Sequence, residues 1–134
     1  MTRDERQDLM IDCLLEMNLP KENVCAIATI LKKEEQIDIM LSWIKKHYKE
    51  NPHKLRVMLV VVKIRDGINS ETTDALIKKL WSLFGWDTMT SIVMAMETNN
   101  QMLSMLNWLE MNHKENHSEK EVIQAAEEIS KEVL

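Results

Sequence analysis

Residues 36–51 read QIDIMLSWIKKHYKEN, and residues 101–116 read QMLSMLNWLEMNHKEN. At the offset that carries Trp43 onto Trp108, Gln36, Met40, Leu41 and the triplet Lys49-Glu50-Asn51 recur as Gln101, Met105, Leu106 and Lys114-Glu115-Asn116. Working outward at the same offset, Ile27 meets Ile92, Val57 meets Val122 and Ile64 meets Ile129, which makes ten identities over positions 19–64. Other pairs exchange one apolar residue for another: Val24/Met89, Leu31/Met96, Ile37/Met102 and Ile44/Leu109. With a one-residue slip, Leu9-Met10-Ile11 also aligns with Ala75-Leu76-Ile77. A fixed period of this kind marks one supersecondary unit used twice, with neighbouring units burying a shared core. The expected fold is therefore all-α, a tandem duplication of a four-helix unit with about eight helices. Residues 1–66 form the first repeat and 67–134 the second, within one domain over 1–134. A compact helical bundle and a short solenoid both fit this pattern.

The composition supports long helices joined by short connections. Only two Gly and two Pro occur in 134 residues. With 45% hydrophobic and 29% charged residues the chain reads as globular, and no apolar run is long enough to span a membrane. The opening Met-Thr-Arg-Asp-Glu-Arg lacks the apolar segment of an export signal, so a cytoplasmic location is expected. Cys13 and Cys25 fall among apolar residues without a motif spacing. They read as small core residues in a reducing compartment.

Helix signals punctuate both copies. Thr2-Arg3-Asp4-Glu5, Thr98-Asn99-Asn100-Gln101 and Ser118-Glu119-Lys120-Glu121 have capping-box spacing. Pro20 and Pro52 suit the first position of the second and fourth helices, and Asn51 suits the cap before Pro52. The third helix is expected from about Glu34 to Glu50. Gly67 and Gly85 each follow an expected helix, where a left-handed residue closes the backbone. Val57-Met58-Leu59-Val60-Val61-Val62 has strand propensity, but its counterpart at 122–127 is helical in composition, so both read as helix. Helix four is apolar on nearly every side, as for an element buried between two units, whereas the last helix keeps one apolar stripe.

Charge divides the copies. Residues 1–66 hold 12 Lys/Arg against 11 Asp/Glu, and residues 67–134 hold 5 against 11, a net of −6. The acidic excess argues against a general nucleic-acid binder, which needs many cationic phosphate contacts. Six of the eleven methionines fall between Met89 and Met111. Core packing explains those on the helical stripe, but Met94, Leu103 and Met111 fall off it. Methionine is over-used on adaptable binding faces and tryptophan anchors interfaces. The candidate partner surface is therefore Trp81, Trp86, Met94, Leu103 and Met111, with an acidic face of Glu119, Glu121, Glu127 and Glu128.

The alternative site is the basic stretch 45–56, with Lys45, Lys46, Lys49, Lys54 and Arg56 as nucleic-acid contacts. A solvated helix end supporting the helix dipole is the plainer reading of those charges. A helix-turn-helix from helices two and three would present Glu34, Glu35 and Asp38 to the phosphates, which argues against it. Glu110, His113 and His117 have metal-capable spacing, yet no further ligand lies near, and they read as solvent-exposed. No glycine-rich phosphate loop or nucleophile constellation occurs, so no catalytic residue, cofactor or metal is expected. The run LKKEEQIDIMLSWIKKHYKENP at 31–52, followed by a polar-capped helix, resembles small helical proteins of low-GC Gram-positive bacteria and implies no activity. The expected function is non-enzymatic: a protein–protein interaction module, adaptor or small inhibitor that binds a protein partner. A nucleic-acid-binding regulator is the alternative, a homodimer is compatible with both, and no membrane is involved.

Overall fold

The computed structural model describes residues 1–112 and 118–131, and every regular element among them is helical. The first four α-helices are α1 (Arg3–Glu16), α2 (Lys21–Ile30), α3 (Glu34–His47) and α4 (Lys54–Arg65). They are followed by α5 (Ser70–Leu83), α6 (Trp86–Ala95), α7 (Asn99–Met111) and α8 (Glu119–Ser130). The starts of α2 and α6, of α3 and α7, and of α4 and α8 are each related by the same offset that relates Trp43 to Trp108. The 57–62 segment is helical within α4 despite its β-branched residues, because its apolar side chains are mostly buried in this conformation.

The chain divides into two compact units, Met1–Ser70 and Glu71–Leu134. In the first, α1 packs on α2 and α3, and α4 packs on the same two helices. Arg3 Nε donates to the Lys32 carbonyl at 2.6 Å and Gln7 Nε2 to that of Ala28 at 3.0 Å. These bonds put the start of α1 beside the end of α2, so the two run antiparallel. Arg6 bridges Glu34 and Asp38 at 2.5 and 2.7 Å, which places the starts of α1 and α3 together. Met10, Leu14, Ile27, Ile37, Met40 and Trp43 are fully buried in this unit. Each such side chain contributes about 1.5–3 kcal/mol of burial free energy.

In the second unit α8 packs on both α6 and α7. Gln101 is the knot. Its backbone N–H donates to Thr98 Oγ1 at 3.1 Å, its Oε1 accepts from the Glu97 N–H at 2.7 Å, and its Nε2 donates to the Ser130 carbonyl at 3.2 Å. One buried amide thus joins the end of α6, the start of α7 and the end of α8. Gln36, its counterpart in the first copy, makes a related bond, its Oε1 accepting from the Lys33 N–H at 3.1 Å.

Local punctuation departs from expectation at several places. Pro20 caps α2 in an extended conformation (ψ 144) and Asn18 takes the left-handed turn instead (φ 62). Asn51 is left-handed (φ 49), a 3-10 turn spans Tyr48–Glu50, and His53 caps α4 by accepting from the Leu55 N–H at 3.1 Å. Pro52 therefore precedes the helix. Gly67 is left-handed as expected (φ 79), whereas Gly85 is an extended N-cap of α6. Cys25 is exposed and Cys13 half-buried, so neither is a core residue, because each lies off the buried stripe of its helix.

Candidate interaction surfaces

The methionines separate by helical phase. Met89, Met96, Met102 and Met105 are fully buried, while Met94 (46%), Leu103 (47%) and Met111 (84%) stand out from α6 and α7. Trp81 is exposed near the end of α5 and meets the half-buried Trp86 edge-to-face, with ring centroids 5.1 Å apart. The structure thus brings the two tryptophans together, and places the other three candidates on α6 and α7. Glu119, Glu121, Glu127 and Glu128 are all exposed on α8. The Thr88 hydroxyl donates to Glu119, and Ser118 Oγ accepts from the Glu121 N–H at 3.3 Å, so the capped first turn of α8 carries acids at its positive end.

The basic stretch is less available than its composition implies. Lys45, Lys46, Lys49 and Lys54 are exposed, but Arg56 is buried. Its guanidinium lies over the Trp43 ring, 5.5 Å from the centroid, and donates to Glu50 Oε1 at 3.1 Å. His47 is buried beside the same ring and its Nδ1 lies 2.5 Å from Glu50 Oε2. Arg56 and His47 therefore serve the fold: Glu50 ties both over Trp43, whose own indole N–H is buried without an acceptor among the described residues. Arg56 drops out of the nucleic-acid surface for that reason.

Two grooves were not foreseen. One, of about 690 Å³, lies in the first unit along α1 and α3, with Leu9, Cys13, Leu41 and Ile44 inside and Glu16, Lys45 and Tyr48 among its polar lining. Burial pushes the Cys13 thiol pKa up there, helped by the negative charges of Glu16 and Asp12. The other, of about 360 Å³, lies in the second unit between α6 and α8. Its signal in the sequence is volume: Ala95, Ala126 and Ser130 stand where the first copy has Ile30, Val61 and Arg65. Among the described residues, no group of His, Cys, Asp and Glu could hold a metal ion. Glu110 is on α7, and His113 and His117 lie outside the described residues. No helix among those residues is long and apolar enough to cross a membrane. No family model, curated protein or solved structure matches this chain.

Proposed function

We propose that this protein is a non-enzymatic interaction module that binds a protein partner through the second unit. The Met/Trp surface supplies apolar contacts and acidic α8 steers a basic partner. The observation carrying this reading is the phase split among the methionines. On-stripe residues fill the core, and Met94, Leu103 and Met111 remain in water on the unit that also carries the paired Trp81 and Trp86. Exposed apolar side chains occur on both units, and the second adds the paired tryptophans and the acidic α8 to its own. The net charge of −6 over 67–134 sets the sign of that partner. We further infer that the two units arose by duplication of one four-helix segment, a reading supported by the constant offset between the starts of matching helices. A cytoplasmic setting accords with two unbridged cysteines.

The test is a tagged capture from lysate of the native host, split into nuclease-treated and untreated halves. One arm uses the wild-type chain and the other the Glu119, Glu121, Glu127 and Glu128→Lys variant. A basic protein retained after nuclease and lost from the variant supports the proposal. Recovery that collapses with nuclease and with Lys45/Lys46/Lys49→Ala would transfer the function to the nucleic-acid alternative.

A further inference from the structure

The two units carry the same helix pair with side chains of different volume at matching positions. In the second, the α6–α8 groove has Ile92 and Ala126 as a buried floor and the exposed Ile123 along one side. In the first, the matching floor position is the fully buried Val61, and Ile30 and Val62 replace Ala95 and Glu127. The room in the second unit exists because the side chains there are short.

We propose that this groove is the docking site for a basic amphipathic helix of the partner, which rests on the protein-binding reading above and names its site. α6 and α8 run in the same direction, since Thr88 and Glu119 join their starts and Gln101 joins their ends. Asp87 therefore stands at one end of the groove. Glu127, eight residues beyond Glu119, stands level with the last turn of α6. Asp87 precedes Thr88 by one residue, so a rise of 1.5 Å per residue separates Asp87 from Glu127 by about 13.5 Å along the groove. None of the groove's described lining residues is basic. The α1–α3 groove, by contrast, has Lys45 and Glu16 in its lining and selects neither sign of charge.

The matching occupant has aliphatic side chains in the middle and a cation at each end. On a helix, residues at i and i+7 share a face and lie about 10.5 Å apart, and the flexible stems of Lys or Arg span the remainder. The intervening i+3 and i+4 positions point the same way and supply the aliphatic groups. The groove thus reads a basic–apolar–basic pattern on one helical face.

The experiment is selection of a display library of short random peptides on the intact protein, with sequencing of the retained population. The expected enrichment is Lys or Arg at i and i+7 with aliphatic residues between. Those peptides should bind about tenfold or more weakly to the Ala95→Ile/Ala126→Val variant, which installs the side chains the first unit already packs. They should bind with unchanged affinity to Ile39→Ser, an exposed position of the first unit. A second variant, Asp87→Lys/Glu127→Lys, alters only exposed side chains and should shift selection to acidic residues. Enriched peptides that ignore both groove variants but are lost on Trp81→Ser or Met94→Ser would overturn the groove and leave the broader reading standing. Enrichment of acidic peptides on the wild-type chain, or no enrichment, would overturn both.

Discussion

Trp43 and Trp108 occupy matching places on α3 and α7, yet one is sealed from solvent and the other is half-buried. Over Trp43 lie His47, at 5.1 Å between ring centroids, and Arg56, both held by Glu50. In the second unit the counterpart of His47 is Asn112, whose Nδ2 donates to the Trp108 carbonyl at 2.7 Å, and the counterpart of Arg56 is Glu121. The same tryptophan is thus closed over by a charged cluster in one unit and left partly open in the other. The contrast teaches that repeated apolar positions set the scaffold, while the residues that differ decide which charges serve packing and which face solvent. The first unit commits Arg56 to the cover over Trp43, held there by Glu50 at the surface. The second leaves Glu121, the counterpart of Arg56, on the surface.

The largest effect that can break this comparison is at the tryptophans themselves. Trp43→Ala should cost about 3–5 kcal/mol in denaturant unfolding, and Trp108→Ala about half as much. Equal losses would remove the distinction. Trp43→Phe sharpens it, because it deletes a buried N–H that has no acceptor among the described residues. Relief of that unsatisfied donor, about 1–3 kcal/mol, offsets much of the lost volume, so the variant should stay within about 1.5 kcal/mol of wild type.

Next in size is the pair of glutamines. Gln101→Ala strands the Glu97 N–H and the Ser130 carbonyl, at the ends of two helices, and should cost about 1–3 kcal/mol, whereas Gln36→Ala removes one capping bond at about 0.5–1.5 kcal/mol. Arg56→Ala should cost about 1–2 kcal/mol through its lost ring and carboxylate contacts. Arg56→Lys should fail to restore them, since a lysine lacks the planar fork that both stacks and donates. Full rescue by lysine would show that charge alone matters there.

The smallest effect is chemical. At neutral pH a thiol reagent should label exposed Cys25 before Cys13, whose raised pKa lowers its thiolate fraction. The sign follows from the reactive species: raising the pH through the Cys13 pKa restores its thiolate and narrows the gap. Equal labelling rates at neutral pH would contradict the burial assigned to Cys13.

Much of the scaffold was legible because it rests on periodicity that two copies reinforce. The 57–62 run is the clearest case. Its own propensity favours a strand, and only its alignment with 122–127 identifies α4 as a helix. The exposure of Met94, Leu103 and Met111 was legible for the same reason, since phase along one helix sorts inside from outside. What could not be read depends on contacts between helices. Nothing local to Arg56 says that Trp43, thirteen residues earlier, provides a ring to lie on. Cys25 sits among apolar neighbours in sequence yet faces water, because the stripe of α2 passes through Val24 and Ile27. The α6–α8 groove arises from the volumes of Ala95 and Ala126 on separate helices, a property no single stretch displays.

The most direct test of the second unit as the binding unit is hydrogen exchange of the full chain, free and bound to the partner captured after nuclease treatment. Added protection is expected in α6 and α8, with unchanged exchange at 45–56. Protection confined to 45–56, with α6 and α8 unchanged, would contradict it.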